Sequence, residues 1–296
     1  MSCGRDGCGA GDDDVLVAGF QGVSTDTQDV TTLGRGGSDT TAVALAAALG
    51  ADACEIFTDV AGVFTADPRL VPDALRLPYI TYEEMLEMAS SGAGVMMARS
   101  IEIARSYGVK LRVRSTFVDG EGTWIGEEDE AMLEKAIISG VTHDTSEAKV
   151  SIVGVPDRPG IAAKVFRALA DAGVNVDMIV QNVSQDGAAT ISFTLPKTDV
   201  SIATPILEEL AKDLGASRVE HDPDVAKISL IGAGMKSHPG VAADMFDALA
   251  EAGINIEIIS TSSIRVSCVI SAAQVELAVQ VVHARFQSFA EERVRG

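Results

Sequence analysis

TTLGRGGSDTTAVALAAALG, Thr31 to Gly50, runs a glycine-rich loop straight into a helix. Gly34, Gly36 and Gly37 permit close backbone approach, the first helical N–H groups lack intrahelical acceptors, and the helix dipole favours negative charge there. Ser38 or Asp39 is the predicted N-cap, Asp39 to Leu49 the helix and Gly50 its stop. Arg35 adds a planar cationic fork, which makes the junction a candidate anion cradle. The pattern taken alone also fits a solvated loop with an ordinary cap, and the flanking sequence favours the cradle.

Outward from this stretch, the first half alternates strand and helix in the manner of an α/β sheet domain. Val15 to Phe20 (VLVAGF) is predicted as a strand and Ala53 to Phe57 (ACEIF) as the next, giving one βαβ crossover. Thr58 to Pro78 contains three prolines and mixed polarity, a long irregular connection of the kind that often carries function. Thr81 and Glu84 form a capping box for a helix over Glu83–Ala89. A second helix, Val95 to Tyr107, stops at Gly108, and the strand Val109 to Thr116 sets Lys110, Arg112 and Arg114 on a solvated face.

The second half is a duplication. KVSIVGVPDRPGIAAKVFRALADAGVNVDMIVQNVS, from Lys149, aligns with KISLIGAGMKSHPGVAADMFDALAEAGINIEIISTSS, from Lys227. Gly160 and Gly240 open helices after a proline, and Gly173 and Gly253 close them ahead of a strand. Each unit reads as a ferredoxin-like βαββαβ order. The second lacks its last strand, while Ala136 to Val141 (AIISGV) stands unassigned just before the first, so this strand is predicted to complete the second sheet. The expected organisation is a linker or tail over 1–14, an α/β unit over 15–126, a linker and lent strand over 127–143, and α+β units over 144–224 and 225–296.

Forty-three acidic against 23 basic residues give a formal charge of −20, which argues against nucleic acid and anionic membrane surfaces as partners. No secretory signal or membrane-length apolar run is evident, and a cytoplasmic location is expected. The four cysteines, Cys3, Cys8, Cys54 and Cys268, are too scattered for a disulfide framework, and no histidine has metal-ligand spacing, so no metal held by protein side chains is expected.

LGRGGSDTTA, then EIFTDVAGVFTADPR and LRVRS, with the doubled PG-helix-strand unit behind them, resembles aspartate kinase of the amino-acid-kinase superfamily with its paired ACT domains. The resemblance implies the C-terminal part of a kinase α/β sheet domain followed by two ferredoxin-like α+β domains. It implies transfer of the ATP γ-phosphoryl group to the side-chain carboxylate of L-aspartate, with Mg²⁺, as the first step toward lysine, threonine and methionine. Phe20, Arg35, Gly36, Gly37 and Ser38 then match aspartate-binding positions, Asp39 a catalytic acidic position, and Thr58, Asp59, Phe64, Arg69 and Gly94 the nucleotide stretch.

Three departures bear on activity. The family's lysine-glycine-glycine phosphate loop, with the threonine and glutamate positions after it, is not in this sequence; Gly94 replaces its usual phosphate-binding lysine; and Phe64 replaces its usual tyrosine. The sequence therefore resembles an N-terminally truncated aspartate kinase, with negligible turnover expected alone. By the same resemblance Asp157, Ala162, Asn175, Asp177, Gln181 and Ser184, with Val241, Asn255, Ile256 and Ser262 facing them, bind lysine or threonine as effector, and the ACT domains pair chains into a homo-oligomer. Two alternatives are a regulatory amino-acid-binding subunit without catalysis and a different amino-acid-family kinase with sensor domains.

Overall fold

Helix starts and strand alternation between residues 15 and 126 build a two-stranded ribbon and one mixed four-stranded sheet. The computed structural model describes residues 15–127, 138–183, 187–232, 238, 240–289 and 291. Gln21–Val23 (β1) and Val30–Thr32 (β2) form an antiparallel ribbon, followed by helix Gly37–Leu49 (α1) and strand Cys54–Thr58 (β3). Tyr79–Thr81 (β4) leads into Tyr82–Ser90 (α2) and Ala98–Tyr107 (α3), and Leu111–Ser115 (β5) and Thr123–Gly126 (β6) complete a sheet of order β3-β5-β6-β4. β3 pairs with β5 in parallel, whereas β5 and β6 are antiparallel. Val43, Ile56, Met85, Ile101, Leu111 and Val113 are central to its core. The Thr81–Glu84 capping box forms as predicted, with the Glu84 N–H donating to Thr81 Oγ1 and the Thr81 N–H to Glu84 Oε2.

Two expectations for this unit fail. Val15 to Phe20 is not a strand: Val15, Leu16 and Val17 lie exposed, and Phe20 turns the chain at φ 72 before β1 begins. Neither Ser38 nor Asp39 caps α1. Gly36 does, in the left-handed region at φ 71, so the helix begins at Gly37.

The duplicated half comprises Gly140–Asp144 (β7), Glu147–Pro156 (β8), Ile161–Asp171 (α4), Ile179–Val183 (β9), Ala188–Pro196 (β10), Val200–Leu214 (α5), Arg218–Asp222 (β11), Val225–Ile231 (β12), Val241–Glu251 (α6), Ile258–Thr261 (β13), Arg265–Ser271 (β14) and Val275–Arg285 (α7). The first sheet has the order β11-β8-β10-β9 and the second β13-β14-β12-β7. β7, which precedes the first repeat, thus serves as fourth strand of the second, with Val141 opposite Leu230 and His143 opposite Ile228. The strand spans Gly140–Asp144 rather than 136–141, and Ala136 and Ile137 lie outside the described residues. A turn in which Asp144 Oδ1 accepts the Ser146 N–H at 2.7 Å separates β7 from β8.

The repeats meet through charge and a small apolar cluster of Met178, Val225, Ile258 and Val269. Lys227 on β12 is 1% exposed and donates to Glu147 Oε1 at 2.7 Å and Asp177 Oδ2 at 2.5 Å. Burial would push its ammonium down, but the two carboxylates hold it above its ordinary value. Lys149 on β8 pairs with Glu257 of the other repeat. Removing Lys227 strands two partly buried carboxylates, so Lys227→Met is expected to lower the free energy of unfolding by about 3 kcal/mol, measured by urea denaturation. Lys149→Met, at a more exposed pair, should cost less than about 1 kcal/mol in the same measurement.

Candidate functional site

The glycine loop is held by α3, an element not implicated by the sequence. A Cβ on Gly36 would stand 2.0 Å from Met97 Cγ, so the loop backbone lies directly on that side chain. Arg99 donates to the Leu33 carbonyl at 3.0 Å. The Asp39 carboxylate accepts the backbone N–H of Met97, the residue that precedes α3, and in effect caps that helix. Burial raises the Asp39 pKa from its ordinary value, and the Met97 N–H opposes the rise. Asp39 therefore ties the starts of two helices together.

Phe20 closes the other side. Its N–H donates to Thr41 Oγ1 at 3.2 Å, its carbonyl accepts the Leu33 N–H at 2.9 Å, and its ring lies 3.1 Å from where a Gly37 Cβ would be. The Gly37 N–H donates to Gly34 O, which leaves the Ser38 and Asp39 amides as first-turn N–H groups without an i−4 carbonyl. Ser38 and Arg35 are exposed, and Arg35 has no ion-pair partner among the described residues. Phe20, Arg35, Gly36, Gly37, Ser38 and Asp39 are thus one local assembly on an open surface. A separate shallow concavity is lined by Thr81, Tyr82, Glu83, Glu84, Arg105 and Ile264 among others.

The nucleotide candidates form a second group. Thr58 ends β3, and its hydroxyl donates to Asp59 at 3.0 Å. Thr58 thus stands at the C-terminal end of a parallel-paired strand, the end at which open α/β sheets bind ligands. Arg69 makes a bidentate pair with Asp67, at 2.7 Å from NH2, which lowers the pKa of that carboxyl, and it feels Asp59 electrostatically. Phe64 is half-buried in a bridge to Arg76, within a hairpin where the Thr65 N–H donates to Leu75 O and the Leu77 N–H to Val63 O. Gly94 is exposed, with open space where a Cβ would go. Arg112 and Arg114, expected on a solvated face, instead pair with Glu55 at 3.1 and 3.3 Å and stack over Trp124 and Phe57.

The effector candidates are dispersed over both repeats. Asp157 is exposed, its N–H donating to Gly187 O at 3.1 Å; Ala162 lies in the first turn of α4. Asn175, Gln181 and Asn255 are exposed, Ile256 is half-buried, and Val241 is buried at the start of α6. Asp177 already holds Lys227, a partner that keeps its carboxyl below the usual range despite the opposing effect of burial. Ser262 donates to Glu87 on α2 at 3.4 Å and thus touches the first unit. Ser184 lies outside the described residues. Among the described residues no three His, Cys, Asp or Glu side chains converge to hold a metal ion.

Sequence reasoning missed Met97, Arg99 and Arg265. Arg265 opens β14 and pairs with Glu87 on α2 at 3.0 Å, with Ser91 Oγ at 3.5 Å. Their signal is purely tertiary, since a methionine and arginines near element starts have no distinctive spacing.

A sequence profile of the amino acid kinase family matches residues 10–115, and ACT domain profiles match residues 150–215 and 228–286. The chain is 56% identical over 275 residues to an aspartokinase of Mycolicibacterium smegmatis, covering 92% of this chain and 65% of that protein. It is 51% identical to an aspartate kinase of Pseudomonas putida, covering 94% of this chain and 68% of that one. E. coli aspartokinase III superimposes in its complex with aspartate and ADP, with a TM-score of 0.75 and 29% identity over 91% of this chain and 60% of that one. Its complex with lysine and aspartate gives a TM-score of 0.70 and 30% identity over 90% and 58%. The chain thus spans about 65% of the length of the mycobacterial relative.

The two glycines predict opposite outcomes. Gly36→Ala meets both a positive φ and Met97, and is expected to cost about 2 kcal/mol in urea denaturation. Gly94→Ala, in open space, should change stability by less than about 0.5 kcal/mol.

Proposed function

Because the chain belongs to the aspartate kinase family, we propose that its Arg35 loop holds L-aspartate for phosphorylation of the side-chain carboxylate by ATP, giving 4-phospho-L-aspartate under control of amino acids bound by the two ACT domains. The observation that carries this reading is Arg35. In a chain of charge −20, Arg69, Arg105, Arg112, Arg114, Arg265 and Arg285 each hold a carboxylate, whereas Arg35 faces solvent beside first-turn amides without one among the described residues.

The chemistry asks little of a base. A carboxylate nucleophile is ionised at neutral pH, so positioning and neutralisation of charge dominate. Arg35 grips a substrate carboxylate bidentately, the Ser38 hydroxyl and amide orient it, and Phe20 walls the site. The residues present also suit a nucleotide: Arg69 is so exposed that its bond to Asp67 exchanges readily for a phosphate, and Asp59 presents a carboxylate nearby. Mg²⁺ would supply neutralisation of the phosphate charges. That E. coli aspartokinase III is solved with aspartate and ADP, and with lysine and aspartate, supports both ligand classes. Lysine or threonine is the proposed effector, and lysine, threonine and methionine synthesis the proposed pathway. Exposed Ile179, Val183 and Ile259 on strands β9 and β13 at sheet edges support pairing of ACT domains between chains. No helix among the described residues is long and apolar enough to cross a membrane, which accords with a cytoplasmic location.

Gly94 offers no charge where the family places a phosphate-binding lysine, so negligible turnover is proposed for this chain alone. Calorimetric titration with aspartate, ADP–Mg²⁺, lysine and threonine tests the reading. Aspartate is expected to bind, and Arg35→Ala to weaken it at least about tenfold, as loss of a charge-assisted pair requires. Lysine or threonine binding without aspartate or ADP would replace this reading by a regulatory subunit, which Gly94 favours. Failure of every amino acid to bind would remove both. ATP-dependent aspartyl hydroxamate formation by the purified chain would refute the expected inactivity.

A further inference from the structure

Thr65 is fully buried, and its polar groups bond to three different elements. Its N–H donates to Leu75 O at 2.9 Å within the hairpin, and its carbonyl accepts the Val141 N–H of β7 at 2.8 Å. Its Oγ1 accepts the Leu75 N–H at 3.0 Å and lies 2.9 Å from Nε2 of His283 on α7. A hydroxyl has one proton to give. With Leu75 already donating to the oxygen, the arrangement that satisfies both side chains sends that proton to an unprotonated Nε2. Burial pushes the His283 pKa down, against the pull of Asp73, which agrees with a neutral ring.

One turn earlier on α7, Gln280 donates to the Leu70 carbonyl at 3.0 Å. Between these two bonds, Ala66, Leu70, Val71 and Ala74 pack into the core of the second repeat with Val279 and Val282. The segment between Thr65 and Leu75 is therefore anchored from the regulatory side, and Arg69 projects from its exposed turn. An apolar pair at 65 and 283 would bury as well; a donor and an acceptor fix the register of the segment on the helix, because a shift leaves both unpaired.

We propose that His283 is a positioning residue for the nucleotide segment: through its bond to Thr65, with Gln280 alongside, α7 of the second ACT domain fixes the frame from which Arg69 is presented. The inference rests on the reading of Thr58 to Arg69 as nucleotide-binding. It makes α7 a route by which a ligand of the second ACT domain re-aims Arg69 without touching it, provided that ligand favours one placement of α7.

Amide hydrogen exchange on the whole chain tests the anchoring without any ligand. His283→Leu keeps the bulk and removes the acceptor, whereas the His283→Gln carbonyl can still accept from Thr65. Exchange at Leu70, Val71 and Ala74 is expected to rise about tenfold in His283→Leu, the size of one lost buried hydrogen bond, and to stay near parental in His283→Gln. Gln280→Ala, at an exposed helix position, should raise it about threefold and covers the case in which His283→Leu does not fold. ADP affinity should fall with the same ranking while aspartate affinity holds. Unchanged exchange at these amides in both His283→Leu and Gln280→Ala overturns the proposal, as does a His283→Gln variant as defective as His283→Leu, or a rise spread equally over β3 and α1. A parent chain that binds no ADP defeats the nucleotide reading, while the exchange result still decides whether α7 fixes the segment.

Discussion

The pairing of Gly140–Asp144 with Val225–Ile231 is the constraint from which the arrangement of the molecule follows. The second repeat supplies three strands of its own sheet and takes the fourth from the chain that leaves the first unit. That loan keeps the second ACT domain against the kinase-type unit, and the approach is close. A Cβ on Gly92 would stand 2.0 Å from His143 O, and one on Gly140 2.6 Å from Thr65 O. Ser139 donates to Glu84 at 2.5 Å, so the carboxylate that completes the α2 capping box also receives the strand entering the second repeat. An unpaired fourth-strand edge would otherwise present open backbone groups.

The first ACT domain is an insertion in this frame and is held by charge beside the small apolar cluster of Met178, Val225, Ile258 and Val269. Lys227 reaches from the second repeat to Asp177 and Glu147 of the first, and Arg265 adds its field at Asp177 while pairing with Glu87 on α2. α2 packs on α3, whose start carries the Met97 and Arg99 contacts that hold the glycine loop. An amino-acid ammonium arriving at Asp177 must compete with Lys227. The elements are contiguous from that carboxylate to Gly36; contiguity supplies a path, and a ligand exploits it only by binding two packings unequally.

What could be read from the sequence was whatever local chemistry dictates. The capping box at Thr81, the glycine stops at Gly50 and Gly108, the duplicated unit and the missing last strand all depend on nearby residues or on internal comparison. The strand at Val15 failed because apolar composition makes a strand only where something covers it. The α1 cap failed because Ser38 and Asp39 are better caps by type, yet Gly36 alone tolerates both the left-handed turn and Met97 overhead. In the candidate site, the loop residues were legible and their supports were not. Arg99, Met97, Thr65 and His283 act through long-range contacts that no spacing announces.

The acidity of the chain and the anionic ligands proposed for it are reconciled by how its cations are paired at short range. At physiological salt the Debye length is about 8 Å, so the net charge of −20 matters little within a site. Local pairing decides instead. Most arginines with partners close seams: Arg265 between α2 and the second repeat, Arg112 and Arg114 across β3 and β5. A guanidinium already satisfied by a buried carboxylate gives a ligand little, because binding must first break that pair. Arg69 is itself largely exposed although its partner Asp67 is mostly buried, and Arg35 has no carboxylate partner among the described residues.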